Sequence, residues 1–232
     1  FLVAVFWAFT NCFKKIEKGT ALIRTGLGET KVTFTGMMVY PVIHRAEHMD
    51  ISLKRIEIDR TGKNGLICKD NMRADIKVAF FVRVNNVKDE VIRVAEAIGC
   101  DRASSEMEIR VLFDAKFSEA LKTVGKQFDF IQLYEERDTF REEILKCIGT
   151  DLNGFVLDDA AIDYLEQTPI ESLDPDNILD AEGIKKITEL TASQAKLSNN
   201  IQRDKEKVIK HFTFDPKKPL LVQKRELFFF KD

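Results

Sequence analysis

Three histidines, four cysteines and a few clustered carboxylates are the side chains of this 232-residue sequence with the chemistry of a site. His44 and His48 have the spacing of two metal ligands on one face, but no cysteine or second ligand pair stands near them in the sequence. They read as solvent-exposed loop histidines. Cys12, Cys68, Cys100 and Cys147 are scattered without a C-x-x-C pair, the pattern of reduced structural thiols, and this weakly favours a cytoplasmic location. Gly26-Leu27-Gly28 lacks the third glycine and the following helix of a dinucleotide site, and no phosphate-binding Gly-Lys-Ser/Thr run occurs. Ser104-Ser105 precedes a helical pattern without the glycines of a nucleophile elbow, so it reads as a cap. Glu135-Glu136 and Glu142-Glu143 are neighbours in a helical stretch, where adjacent side chains point apart, and read as a solvated face rather than an acid–base pair. No catalytic residue, cofactor or metal ligand is expected, and the chain reads as something other than an enzyme.

The totals narrow the alternatives. Thirty-six Lys and Arg against 38 Asp and Glu leave a formal charge of −2, which gives no overall attraction to a phosphate backbone, so no nucleic acid is expected as partner. With 44% hydrophobic residues and only 11 Gly and 5 Pro, the chain is neither disordered nor fibrous. Its first nine residues, FLVAVFWAF, are all apolar, and Lys14, Lys15 and Lys18 follow. A bilayer-spanning helix needs about 20 apolar residues, so this stretch is the closing half of a span or a short helix dipping into one leaflet. Since the first residue is not Met, further chain is expected upstream. The residues expected to insert are Phe1, Leu2, Val3, Val5, Phe6, Trp7, Phe9 and Phe13, with the lysines on the cytoplasmic side. A buried core strand or helix is the competing reading.

Those features need elements to position them. Thr20–Thr25 and Lys31–Thr35 flank a glycine-bearing turn and predict a hairpin; Ile51–Asp59 predicts another strand, with a phase slip between Leu53 and Ile56 as a bulge would give. In Asp75–Val84 the residues Ile76, Val78, Phe80, Val82 and Val84 alternate with mostly polar ones, a strand with one core face. The period then becomes helical in Asn86–Gly99, in Ser105–Val124 and in Leu133–Leu152, before Asn153-Gly154 and a returning strand over Phe155–Leu165. Strands, then helices, then a strand predict an α+β head. Asp174-Pro175-Asp176 has the make-up of a helix start, and nothing but Gly183 interrupts a helical pattern from there to Lys210. Within it Ile187, Leu190, Leu197, Ile201 and Val208 follow the three-four spacing of a coiled-coil seam, with Gln194 and Asp204 as polar members. An amphipathic helix lying along its own head is the alternative. The last stretch, His211–Asp232, turns Phe-, Pro- and Lys-rich and reads as strand-forming.

The order of these parts, the strand Ala74–Val84 (ADIKVAFFVRV), the helix Leu133–Leu152 and Gly154-Phe155-Val156-Leu157 resemble the SPFH superfamily of stomatins, prohibitins and flotillins. Three local runs narrow the resemblance to bacterial flotillin-like inner-membrane proteins of the YqiK type: Ile23 to Gly28 (IRTGLG), Lys69 to Asp75 (KDNMRAD) and Leu179 to Gly183 (LDAEG). The resemblance implies a twisted antiparallel sheet with packed helices, then a long coiled-coil helix. The divisions expected are a membrane-inserting segment over 1–18, a β-rich subdomain over 19–84, an α+β subdomain over 85–167, the coiled-coil helix over 174–210 and, outside the resemblance, a short β-like tail over 211–232. It implies a homo-oligomeric ring or cage on the lipid bilayer of the bacterial inner membrane, head in the cytoplasm, organising a membrane microdomain, with an NfeD-type membrane protein as partner. A prohibitin-like regulatory subunit encasing a membrane AAA protease is the alternative.

Overall fold

The computed structural model describes residues 12–26, 28–149 and 152–213, with side chains through Lys210. The expected inserting residues Phe1 to Phe9 and the tail from 214 onward lie outside the described residues. Among the described residues eight strands precede the main helices: β1 (Phe13–Lys15), β2 (Thr20–Gly26), β3 (Lys31–Thr33), β4 (Gly36–Met38), β5 (His44–Asp50), β6 (Lys54–Arg60), β7 (Leu66–Ile67) and β8 (Arg73–Val84). Five helices follow: α1 (Lys88–Ile98), α2 (Cys100–Ser104), α3 (Glu106–Gly125), α4 (Phe130–Glu135) and α5 (Arg137–Ile148). Then come β9 (Phe155–Gln167) and α6 (Ile178–Thr213). The order is α+β, and every strand pairing is antiparallel. Two units divide the chain, Phe1–Ala181 and Glu182–Asp232.

In the first unit, β3-β2-β5 form one sheet and β1-β4 a two-stranded ribbon, while β8 pairs with β6 and β7 along one edge and with β9 along the other. The expected β2–β3 hairpin is present, with Leu22 opposite Thr33. Strand β5 was not legible as one, because of HRAEHMD only Met49 is buried and no apolar alternation marks it. Its seven-residue ladder with β2, from Thr20–Asp50 to Gly26–His44, holds it instead. The strand expected over Ile51–Asp59 begins only at Lys54. Ile51 donates its amide to the Gly19 carbonyl, and Ser52 donates its own to the Asp50 carboxylate at 2.9 Å, turning the chain from one sheet to the other. The apolar phase slip is this junction, not a bulge. At Asp50 burial pushes the carboxyl pKa up, but hydrogen bonds from Ser52 and the Lys54 charge outweigh it and hold it below the ordinary value.

The core lies between the large sheet and the helices. Ile76, Val78, Phe80, Val82 and Val84 of β8 are buried as the alternation requires, and so are Ile109, Phe113, Phe117, Ala120, Leu121 and Val124 of α3. Leu112, expected among them, is exposed on the flank of that stripe. Phe117 is fully buried, with ring centroids 4.4 Å from Phe80 and 5.4 Å from Phe113, and Phe113 meets Phe155 edge-on at 5.3 Å. One helix thus packs on β8 and on the start of β9.

Boundaries differ where local hydrogen bonds outbid the period. Val87 rather than Asn86 stands at the N-cap of α1, while Gly99 ends it at φ 86° as expected. The helix expected over Leu133–Leu152 is two: Asp129 and Gln132 close a capping box that starts α4. Glu136 breaks the helix at φ −108°, ψ 47°, and Gly149 ends α5. Asn153-Gly154, both at positive φ, form the turn into β9. Strand β9 carries two register shifts against β8, where Asp163 and Asp158 are the extra residues. Each is held by an arginine, Asp163 by Arg55 of β6 and Asp158 by Arg83 at 2.8 Å.

Phe117→Ala empties the centre of the aromatic cluster and is expected to cost about 3–5 kcal/mol, a large share of an ordinary domain's stability. Urea unfolding followed by circular dichroism should show a lower midpoint with unchanged slope.

Candidate functional site

The Lys69–Asp75 run makes a dense polar junction in the first unit. Asn71, at φ 60°, turns the chain between β7 and β8, its amide donating to the Cys68 carbonyl. Asp70 Oδ1 accepts from the Met72 amide at 3.3 Å and from the Phe130 amide, at the start of α4, at 3.4 Å. Arg73 is only 8% exposed and Asp180 6%, yet they lie 107 residues apart in the chain. Arg73 Nη2 and Nε reach Asp180 Oδ1 at 2.6 and 3.2 Å, and Arg73 Nη1 donates to the Lys63 carbonyl. The other Asp180 oxygen accepts from the Asp174 amide at 3.2 Å. Two residues on, Asp75 Oδ1 accepts from the Gly62 amide at 2.9 Å and from the fully buried Thr168 hydroxyl at 2.5 Å. Asp180 stands in the first turn of α6, so two of the three runs singled out in the sequence meet here. The helix starts at Ile178 rather than at Asp174-Pro175, because Asp174 closes a turn by accepting from the Asn177 amide on its carbonyl and from the Asp176 amide on its carboxylate.

Helix α6 is 36 residues long, about 54 Å at 1.5 Å per residue. Of the seam, Ile187 is buried at 5% exposure, whereas Leu190, Leu197, Ile201 and Val208 range from 37% to 55%. Ile209, beside the seam and missed by the heptad spacing, is exposed too. The polar seam position Asp204 is paired with Lys207 of its own helix at 3.4 Å. Of the residues expected in the membrane, Phe13 alone is described: it lies on β1 opposite Met38 and is half exposed. Among the described residues no helix is long and apolar enough to cross a membrane.

Residues 14–207 match the family model of the SPFH domain / Band 7 family. The chain belongs to that family. It is similar to the flotillin family inner membrane protein YqiK of Escherichia coli, 30% identical over 95% of this chain and 40% of that protein. It is also similar to the flotillin family inner membrane protein sll1021 of Synechocystis, 26% identical over 97% of this chain and 34% of that one. The chain spans well under half the length of either relative.

In this SPFH chain the candidate chemical residues sit apart. His44 and His48 lie on β5, not in a loop, and two positions four apart on a strand are separated by about 13 Å, too far to share an ion. Among the described residues no group of three or more His, Cys, Asp or Glu is placed to hold a metal. Ser105 caps α3, accepting from the Glu108 amide, while Ser104 donates to the Cys100 carbonyl and accepts from the Asp50 amide. Burial pushes the Cys68 and Cys100 thiols up to about 12, helped by nearby carboxylates, Asp70 for the first and Glu47 for the second, so both stay protonated at neutral pH. Glu143 is paired with Lys146 at 2.6 Å on the surface of α5.

Asp180→Ala strands the Arg73 guanidinium in the interior and is expected to cost about 3–5 kcal/mol, whereas Arg73→Met with Asp180→Leu should recover much of the loss, since an apolar pair asks for no counter-charge. Denaturation midpoints of the three proteins decide it; a double variant as weak as the single one would place the loss elsewhere.

Proposed function

We propose that the chain is the head and first helical stretch of a flotillin-like membrane scaffold rather than an enzyme. In this reading Phe1 to Phe13 attach it to the bacterial inner membrane with the head in the cytoplasm, and α6 packs against copies of itself to build a ring or cage that organises a membrane microdomain. An NfeD-type membrane protein is the partner suggested by the family resemblance. The observation that carries the proposal is the row Leu190, Leu197, Ile201 and Val208, regularly spaced on one long helix and open to solvent. The similarity to two flotillin family proteins named for the inner membrane supports it. Burying such a side chain contributes about 1.5–3 kcal/mol, so four per protomer outweigh the ordering of their rotamers, and the gain recurs at each subunit contact.

Two measurements test the two halves. Leu197→Asp with Ile201→Asp should reduce the detergent-extracted assembly to small species in light scattering while the head stays folded; large particles that persist would move the assembly contacts to the head. Val5→Asp with Trp7→Asp should shift the protein to the soluble fraction, each charge costing about 2.5–3.5 kcal/mol in the hydrocarbon region on insertion scales. Unchanged sedimentation with membranes would show that the N-terminal segment is not the anchor.

A further inference from the structure

Between α1, α3 and the turn into β9 the first unit leaves a cleft of about 210 Å³. Its floor is apolar: Val94, Phe113, Leu152 and Phe155 are each no more than 6% exposed. Two features of the chain shape it. Gly154 brings the turn hard against α1, since a Cβ there would stand 2.7 Å from Cγ2 of Val94 and 2.9 Å from the Glu90 carbonyl oxygen. Leu112, on the flank of the buried stripe of α3, is 44% exposed and lines the rim instead of closing over Phe113. Walls that face empty space forgo dispersion contacts, and an apolar ligand lying over the Phe113 and Phe155 rings restores them.

Lys116 decides what kind of ligand that is. One helical turn beyond Leu112, it shares the same flank of α3, and it is the one charged residue among those lining the cleft. Among the described residues it has no ion pair, and Glu90, on the α1 side, is already paired with Arg93 at 3.2 Å. A lysine lays its aliphatic stem along apolar surface and keeps its ammonium in water, so this mouth offers one positive charge above an apolar floor. That suits a head with a single negative charge; a phosphate dianion asks for a second cation, and none lines the cleft among the described residues. Since a cavity of about 150 Å³ accepts benzene, the space here takes an acyl chain of about eight carbons.

We propose that the cleft between α1 and α3 binds a single-chain carboxylate amphiphile, its acyl chain over Phe113 and Phe155 and its carboxylate on Lys116. Every lining residue falls between Val94 and Phe155, so the site draws on none of the residues that carry the scaffold reading.

The full-length protein in phosphatidylcholine nanodiscs is titrated with octanoate carrying carbon-13 at the carboxyl group, with empty nanodiscs as the blank. A saturable shift of the carboxyl resonance is expected with the protein and not with the blank. Lys116→Glu should weaken octanoate binding about tenfold or more and make octylammonium the better ligand, because like charges then meet at the mouth. Ala97→Trp, which plugs the rim, should abolish binding of both. Ala97 and Lys116 are exposed, so the circular dichroism of either variant should match that of the parent protein. Absence of a saturable shift overturns the proposal, and so does octanoate binding that survives Ala97→Trp. Equal binding of octanoate and octylammonium by the parent protein overturns the carboxylate assignment. If octanoate does not bind and Ala97→Trp instead breaks up the assembly in light scattering, the cleft belongs to a second copy of the chain and the proposal falls.

Discussion

A guanidinium taken out of water must find partners on every side, and Arg73 takes them from separate parts of the chain. The Lys63 carbonyl follows β6, the Asp180 carboxylate belongs to the first turn of α6, and the second oxygen of that carboxylate is satisfied by the Asp174 amide. Asp75, two residues along the same strand, gathers the Gly62 amide and the Thr168 hydroxyl. Because a buried charge without its counter-charge is far costlier than a missing methyl group, these contacts form together or not at all. The aromatic cluster around Phe117 tolerates small shifts; this junction, being directional, sets the register of the turn after β6, the start of β8, the end of β9 and the beginning of α6.

The chemistry in the sequence is correspondingly sparse. Two of its four thiols are buried and protonated, its paired carboxylates face solvent or lysine, and two of its histidines stand on one strand too far apart to cooperate. Among the described residues the surface carries apolar side chains along α6, at Val42 before β5 and on α3, where Met107 and Val111 are exposed. Such a surface suits the flotillin-like scaffold proposed above, in which contacts between surfaces carry the function.

Elements with a strong period were legible, and those held by ladders or by single polar contacts were not. β8 and α3 announce themselves because their apolar residues recur every two and every three to four positions, and the packing obeys that count. β5 has one buried side chain, so nothing in its composition separates it from a loop; its partner β2, not its own residues, makes it a strand. Asp174-Pro175-Asp176 carries every signal of a helix start, but the same aspartate serves a turn equally well, and the turn prevails because Asp180 claims the Asp174 amide. Asp180 itself looks like any acid in a first helical turn, favoured there by the dipole. Its role comes from Arg73, which no local pattern links to it. The apolar row of α6 follows from spacing, and the exposure of its outer four members is what spacing could not supply.

The two register shifts of β9 bear on how such heads tolerate crowding. A thirteen-residue strand is a long template, and in an assembly that brings identical copies close it invites strand exchange between neighbours. Asp158 and Asp163 oppose nothing on β8, and each is tied down by an arginine of the same sheet. A foreign strand laid straight along β9 would meet two kinks and their carboxylates, and a slipped β9 would pull both away from their arginines. In the proposed assembly the irregularities would keep each copy paired within itself.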